Sequence, residues 1–287
     1  MFHRFTKDPA SRIDCRGVVN GAFLDRLLRH IRRSGLPIVP LRDVPKLVEA
    51  GQKFVCLTMD DGYRDNMEIA LPILRSHNAP ATIFVPSGIL DRTIDAWWLQ
   101  IEELARKQRK PRRFYRKKIA ELTQDPEALA RARRYFPAGQ RELNDRYFMS
   151  AEEIKALAAD PLIDIGGHTV THPFLKRLPE EAAWQEIRQN KEDLEALLDR
   201  PVDTFAYPFG DARACGAREY KLAKKAGYKV AVTTQDGNVF GRHAANMMAL
   251  PRCTVHAEPE SVEIYEMQRS GIYNLLKSGF RPALAAE

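Results

Sequence analysis

The chain has 287 residues, 44% of them hydrophobic, which is enough to build the core of one α/β barrel. No stretch approaches the ~18 consecutive apolar residues of a membrane-spanning helix. The first five residues run directly into polar sequence, without the apolar segment of a signal peptide. Four cysteines without metal-ligand spacing predict reduced thiols in a cytoplasmic protein, namely Cys15, Cys56, Cys215 and Cys253.

The formal net charge of +7 is concentrated between residues 106 and 146. A solvated basic helical face is the plainest interpretation. The alternative is attraction to phosphate, either on a lipid-linked or nucleotide-linked sugar or in peripheral contact with an anionic membrane. Nucleic acid is not an expected partner, because the segment has neither a recognition fold nor interleaved aromatic residues. The basic residues are Arg106, Lys107, Arg109, Lys110, Arg112, Arg113, Arg116, Lys117, Lys118, Arg131, Arg133, Arg134, Arg141 and Arg146.

Helices and strands are predicted to alternate along the first part of the chain. Apolar residues at helical spacing between 23 and 31 predict a helix, which Gly35 ends. Further segments follow in turn, with strands at 36–39, 53–59 and 81–85 and helices at 44–50 and 67–77. Trp97 and Trp98 open a strongly charged helical segment, which we expect to be an insertion over about residues 97–147.

The alternation resumes after the insertion. Ser150 and Glu153 have the spacing of a capping box, which predicts the start of a helix. The later segments are strands at 162–165, 204–207, 228–233 and 249–252 and helices at 180–198, 217–226 and about 260–277. Alternation of this kind predicts parallel strands wrapped by helices, in a single domain that spans residues 1–287.

Two neighbouring carboxylates, Asp60 and Asp61, follow an apolar run and precede the turn residue Gly62. Adjacent carboxylates near apolar surroundings are costly unless a positive charge lies between them, although such a tripeptide alone is more often a solvated turn. His168 and His172 are four residues apart and can bind one ion if the chain brings them onto one side, although such a pair alone is as often two surface histidines. One aspartate and two histidines leave a divalent metal an open position for water, so together they predict a metal-dependent hydrolase.

Three segments carry a resemblance to a known family. Residues 55–66 contain the two aspartates, residues 165–173 contain a His-Thr-x-x-His pattern, and residues 205–210 read Phe-Ala-Tyr-Pro-Phe-Gly. These segments resemble motifs of the polysaccharide deacetylases, carbohydrate esterase family 4, which contain the nodulation-deacetylase homology domain. The third motif resembles the branch that acts on exopolysaccharides and surface glycans. The resemblance runs from about residue 3 to residue 255 and implies an α/β fold, a distorted (β/α) barrel of about seven parallel strands.

The resemblance also implies a role for each residue of the site. Asp60 is the general base, which takes a proton from the attacking water. The backbone N–H of Phe209 donates to the oxyanion, in a pocket that Tyr207 and Pro208 line. Loops at the carboxyl ends of barrel strands meet on one face, so we expect these residues to lie together. Three side chains are implied to bind one divalent metal ion, most often zinc, namely Asp61, His168 and His172.

One departure from the family pattern concerns the residue that orients the base. The third motif commonly begins with arginine, and this chain has Ala206 there, as the exopolysaccharide branch also does. Another cation can take the place of that arginine, and Arg252 is the candidate. An ordinary surface ion pair is the other interpretation of Arg252.

A second departure concerns the general acid, because the family's usual Leu-x-His motif is not recognisable. His3 lies in a sequence similar to the Tyr-His sequence of the exopolysaccharide branch and is the candidate, with His256 as the alternative. A histidine so close to Met1 has little chain before it to pair into a strand. We therefore expect that a short apolar extension upstream raises stability or activity.

Aromatic residues near the motifs are candidates for substrate binding. Trp97 and Trp98 can stack on a sugar, and core packing of the insertion is the equal alternative. Tyr63 and Phe174 adjoin the metal motifs, where core or rim packing is again the alternative.

The expected activity is removal of an N-acyl group, most often acetyl, from an amino sugar of a surface polysaccharide or lipopolysaccharide. The substrate is an N-acylated amino sugar in a glycan or linked to a lipid or nucleotide. One alternative is an N-deformylase or another small-amide hydrolase on the same fold. The other is a non-catalytic barrel that binds glycan.

Overall fold

A computed structural model of the protein describes residues 1–8, 17–136, 139–255 and 260–277. Six parallel strands form one curled sheet in chain order, and the first two strands pair separately. The strands are β1 (Arg4–Thr6), β2 (Val18–Asn20), β3 (Ile38–Val39), β4 (Val55–Met59), β5 (Ala81–Val85), β6 (Ile163–Gly167), β7 (Thr204–Ala206) and β8 (Val230–Val232). This is the distorted (β/α) barrel that the alternation and the motifs predict.

Helices cover the outside of the sheet and separate most of its strands. The α-helices of the described residues are α1 (Gly21–Arg33), α2 (Val44–Glu49), α3 (Leu71–Ser76), α4 (Trp97–Lys107), α5 (Arg112–Gln124), α6 (Pro126–Ala132), α7 (Gln140–Tyr147), α8 (Ala151–Ala158), α9 (Glu180–Leu198), α10 (Ala217–Lys225), α11 (Val262–Arg269) and α12 (Ile272–Lys277). The predicted capping box of Ser150 and Glu153 is present at the start of α8.

The start of the chain lies between β8, one edge of the six-stranded sheet, and β4, the strand next to the other edge. Phe2 forms a parallel bridge to β4, and Leu250 forms one to β8. The segment after Leu250 reaches the chain start, where the Val255 N–H donates to the Met1 carbonyl at 3.0 Å. Backbone hydrogen bonds therefore continue from β8 to β4, and single bridges take the place of a seventh regular strand.

Strand side chains alternate between two cores, as the pleat requires. Ile83 and Val85 of β5 belong to the large cluster that the outer helices cover. Phe84, between them, belongs to a smaller inner cluster with Val44 of α2 and Val232 of β8. Residues at the ends of these strands emerge above the inner cluster, where the loops after β4, β6 and β7 meet.

The charged segment between β5 and β6 forms helices α4 to α7, which have a small core of their own. Trp97, Ile101 and Tyr115 are buried in it. The insertion is fastened to the barrel by Arg4 of β1, whose guanidinium donates to both carboxylate oxygens of Glu102 at 3.0 and 2.8 Å. Helix α4 therefore has a fixed position beside the strand ends.

Three predicted elements differ from the observed ones. The helix predicted at 67–77 begins with a π-helical turn, Asn66–Ala70, because Pro72 has no N–H for a regular helical bond to the preceding turn. The helix predicted at 260–277 is two helices, since Gly271 takes a left-handed φ of 81° between them. The strand predicted at 249–252 is reduced to the single bridge at Leu250.

Cys56, Cys215 and Cys253 are free thiols, and Cys15 lies outside the described residues. Burial raises the pKa of Cys56 and of Cys215 to about 12, which keeps both thiols protonated. The cytoplasmic location expected from the cysteines stays a prediction. Within the described ranges, no helix has the length and apolar character needed to cross a bilayer.

Candidate active site

The loop after β4 holds two carboxylates in different orientations. The Asp60 N–H donates to the Phe2 carbonyl at 3.0 Å, which continues the bridge between the chain start and β4. Asp61 has a φ of 76° and Gly62 one of 68°, so the chain turns sharply at this point. A non-glycine residue pays for such a left-handed conformation in free energy, and such residues cluster at functional sites.

The loop after β6 is fixed by helix α9. The Asn190 side chain accepts the His168 N–H at 2.8 Å and donates to the carbonyls of Val85 and Thr169 at 3.0 and 2.6 Å. Glu186, one turn earlier in α9, accepts two backbone N–H groups and a hydroxyl from the same loop. Thr169 and His172 have φ values of 64° and 61°, so these contacts hold the loop in a strained shape.

The loops bring three metal-ligand side chains together. One ligand atom from each of Asp61, His168 and His172 lies within 4.8 Å of the others, and all three side chains are buried. Each histidine Nε2 lies 3.2 Å from the same oxygen, Asp61 Oδ1. Burial would raise the pKa of Asp61, but the two imidazoles outweigh burial and hold that pKa well below its usual value. The carboxylate is therefore ionised at neutral pH.

The donor set fits a divalent metal ion of the zinc type. His168 Nδ1 lies 2.6 Å from the Ala206 carbonyl, an acceptor, so Nδ1 carries the proton and Nε2 is free to bind a metal. His172 Nδ1 is buried without a hydrogen-bond partner among the described residues. Two imidazoles and a carboxylate are the protein ligands of many catalytic zinc sites, which leave a fourth position open.

Asp60 is not part of this ligand group and pairs with Arg252. The guanidinium donates to both carboxylate oxygens at 2.7 Å, and also to Thr58 Oγ1 and to the Thr233 carbonyl. The pair is buried, so Arg252 is not part of an ordinary surface ion pair. Burial would raise the pKa of Asp60, but Arg252 outweighs burial and holds that pKa below its usual value.

His3 lies close enough to the two aspartates to be influenced by their charges. Burial lowers the pKa of His3, while Asp61 and Asp60 raise it in part. Asn66 Nδ2 donates to the His3 carbonyl at 2.8 Å, and the His3 ring lies against Gly17. The alternative acid, His256, lies outside the described residues.

Aromatic rings form one wall of the site. The rings of Trp98 and Phe209 lie 4.7 and 4.9 Å from the His172 ring, measured between centroids. Phe174 stacks on Phe209 at 3.7 Å. Trp98 is oriented by a hydrogen bond of 2.7 Å from its indole N–H to the hydroxyl of Tyr63, which is itself almost fully buried.

A sequence match covers the part of the chain that holds all three ligands. Residues 48–231 match the sequence pattern of the family described as polysaccharide deacetylase. The chain belongs to the polysaccharide deacetylase family. A Bacillus subtilis (strain 168) protein named as a polysaccharide deacetylase, YxkH, is 22% identical over 186 residues, which are 65% of this chain and 46% of that protein. The chain therefore spans just under half of the length of that relative.

Solved structures of other deacetylases have a similar fold. The Streptococcus pyogenes deacetylase PplD, in complex with acetate, has a TM-score of 0.67 and 19% identity, over 93% of this chain and 95% of that one. IcaB from Ammonifex degensii has a TM-score of 0.63 and 17% identity, also over 93% and 95% of the two chains. At these identities the similarity is evidence for the fold alone.

Some residues that the sequence analysis assigned to the pocket lie elsewhere. The Tyr207 ring is fully buried among core aromatics and its hydroxyl donates to the Met248 carbonyl at 3.0 Å, so its side chain does not fit a pocket role. Trp97 packs in the core of the insertion, which is the alternative considered for it. Pro208 lies in the turn before Phe209, and its carbonyl accepts the Gly210 N–H at 2.7 Å.

Asn190 and Glu186 both hold the histidine loop, and neither is predicted from the sequence. A signal for Asn190 was available, because it is a polar residue on the buried stripe of α9 with Ala183, Ile187 and Leu194. A buried amide in such a stripe needs hydrogen-bond partners, and here the partners are the loop and the end of β5. Asn190 therefore positions the loop that carries the two candidate metal-ligand histidines.

We expect Asn190→Ala to weaken metal binding and to lower the free energy of unfolding by about 2–4 kcal/mol, since it leaves buried backbone groups unpaired. Loss of an outer contact to a ligand typically lowers metal affinity by about 10–100-fold. Denaturant unfolding and metal titration measure the two effects. Gln189→Ala is the matched control, because Gln189 lies next to Asn190 in α9 but is exposed, and its side chain donates to Asp193 at 2.8 Å. Equal behaviour of the two variants would contradict the assignment.

Proposed function

We propose that the protein is a metal-dependent N-deacetylase that acts on an amino sugar in the synthesis of surface polysaccharide or lipopolysaccharide. The observation that carries the proposal is the juxtaposition of the Asp61, His168 and His172 ligand atoms with the buried pair of Asp60 and Arg252. One carboxylate is available to a metal and its neighbour is held apart from it. That combination suits hydrolysis by an activated water.

Asp60 is proposed to accept a proton from the attacking water. The donor set favours zinc among the divalent ions. Such an ion would supply a water whose pKa is ~7 and would polarise the acyl carbonyl. A carboxylate beside such a water is a sufficient base, and Arg252 fixes its orientation by two parallel hydrogen bonds.

Phe209 is proposed to stabilise the oxyanion of the reaction, and His3 is proposed to act on its leaving amine. No described residue accepts the Phe209 N–H, so this group can donate to the developing oxyanion. His3 is proposed to donate a proton to the leaving amine. Its position beside the two aspartates supports that role.

The substrate assignment is based on the aromatic wall and on the family. Trp98 and Phe209 lie beside His172 and Phe174 supports Phe209 from behind, and rings of this kind bind the CH surfaces of sugars. Acetyl is preferred to formyl because the structural neighbour PplD is a deacetylase solved with acetate. The surface-glycan role depends on the resemblance of residues 205–210 to that branch.

The proposal is tested by the release of acetate from N-acetylated hexosamine oligosaccharides by zinc-loaded protein. We expect acetate release that chelation abolishes and zinc restores, and release slower by about 10²–10⁴-fold from an Asp60→Asn protein with the same metal content. Formate release from N-formylated sugars, without acetate release, would favour the deformylase. Tight binding of glycan by fully loaded protein without any release would overturn the enzyme and favour the non-catalytic barrel.

We expect His3→Ala to keep its metal and to lower kcat by about 10²–10⁴-fold, the usual contribution of a general acid. Metal analysis and acetate release measure the two effects. His256→Ala is the comparison, because His256 is the only rival acid that the sequence analysis named. An inactive His256→Ala protein beside an active His3→Ala protein would transfer the role to His256.

A further inference from the structure

The net positive charge of the molecule is concentrated in one part of the fold. The insertion, residues 97–147, contains fourteen basic and seven acidic residues, so its net charge equals the +7 of the whole chain. The rest of the chain is therefore neutral. Within the insertion, residues 104–120 contain nine basic residues and no acidic one. Such a segment has no internal partners for its charges.

The cations of this segment form a surface at the end of α4 and on the outer face of α5. No carboxylate of a described residue lies within ion-pair distance of five exposed side chains, which we call the basic surface, namely Lys107, Arg109, Lys110, Arg113 and Lys117. The opposite face of α5 is apolar, and its Tyr115, Ile119 and Leu122 pack into the core of the insertion. The helix is therefore amphipathic, with its charge directed away from the protein.

Repulsion between like charges makes this arrangement unfavourable for an isolated protein, since neighbouring cations one helical turn apart destabilise the helix. A surface that supplies anions removes the cost. Clusters of four to eight basic residues on an amphipathic helix gain about 1 kcal/mol for each charge near anionic lipid headgroups. A stacking platform for nucleic acid is missing from the described part of this segment, because Tyr115 is buried and Phe114 packs against the same core.

We propose that the basic surface docks the protein on an anionic lipid bilayer. The ligand chemistry is a layer of phosphate headgroups, which the five cations at the end of α4, in the turn after it and on the outer face of α5 can contact together. The first turn of α4 carries Trp98 against His172, and Lys107 ends the same helix. Nine residues at a rise of 1.5 Å place the two about 14 Å apart along the helix, so docking holds the candidate site near the bilayer.

The test is co-sedimentation of the whole protein with vesicles of phosphatidylcholine mixed with phosphatidylglycerol, and with phosphatidylcholine vesicles alone. We expect binding to the mixed vesicles only, with loss at high salt because the interaction is between exposed charges. Replacing all five residues of the basic surface with Gln should lower the partition constant by at least about 100-fold. Circular dichroism shows whether this variant folds. All five positions are exposed, so we expect the substitutions to leave the fold intact.

A matched variant carries five Gln substitutions at exposed basic residues of the neutral part of the chain and has the same net charge, namely Arg33, Lys53, Lys155, Lys221 and Lys224. We expect it to bind mixed vesicles like the unmodified protein. Equal loss in both variants, or no binding at low salt, would overturn the proposal. Inorganic pyrophosphate or a DNA duplex that binds more tightly than the vesicles and displaces them would also overturn it, in favour of a phosphate or nucleic-acid site.

Discussion

We expect the His172→Ala protein to bind no divalent metal ion and to release no acetate. The site has three protein ligands, the smallest number that holds a catalytic zinc stably. With His172 removed, Asp61 and His168 remain, and two ligands do not retain the ion in dilute solution. Metal content after dialysis, measured by mass spectrometry, should fall from about one ion per chain to near zero. Asp61→Ala should give the same result.

His30→Ala is the control for this experiment. His30 also contacts a carboxylate, Glu266 Oε1 at 2.7 Å, but it lies at the surface, and the described residues form no group of three ligands around it. Its replacement should leave metal content and activity unchanged. A folded His172→Ala protein that retains one ion per chain would show that the ligand set is different from the one proposed.

We expect Asp60→Asn to keep the metal and to lower kcat by about 10²–10⁴-fold, because a carboxamide cannot accept the proton of the attacking water. Metal content distinguishes Asp60→Asn from Asp61→Ala, because only the second substitution removes a proposed metal ligand. The same dialysis experiment measures both proteins. If Asp60→Asn loses the metal while Asp61→Ala keeps it, the roles of the two aspartates are reversed.

The partner of Asp60 should be equally sensitive to substitution. Arg252→Met leaves a buried carboxylate without its cation, which costs about 3–5 kcal/mol of stability in comparable pairs. Removing both charges in Asp60→Asn/Arg252→Met should cost less than the sum of the single changes, since no unpaired charge then remains. Denaturant unfolding of the four proteins gives the coupling. Additive effects would mean that the observed contact contributes nothing specific.

The sequence predicted best the elements whose pattern is local. Strand β5 (Ala81–Val85) and helix α9 (Glu180–Leu198) have their predicted bounds, because one is a short apolar run and the other a long periodic segment with a proline before it. The division of the last helix at Gly271 was not predicted, although glycine is a helix-ending residue. A single glycine inside a helical pattern is often tolerated, so its conformation decides the outcome.

Contacts between distant segments could not be predicted from local pattern. Arg252 was a candidate only because Ala206 lacks a guanidinium, and 192 residues separate it from Asp60. Nothing in its own neighbourhood distinguishes a buried arginine from one at the surface. Asn190 shows the converse case, in which a local signal existed but its partners, at the end of β5 and in the loop after β6, were visible only in the fold.

The hydrogen bond between His168 Nδ1 and the Ala206 carbonyl has a consequence for how such sites can diverge. A carbonyl belongs to the main chain, so the tautomer of the ligand histidine is independent of which side chain occupies position 206. Exchange of the common arginine for alanine there leaves the histidine undisturbed. The Arg252 guanidinium carbon lies 5.6 Å from the centroid of the Phe84 ring. Phe84 belongs to the inner cluster that also contains Ala206. In this chain Arg252 therefore supplies to Asp60 the guanidinium that position 206 lacks.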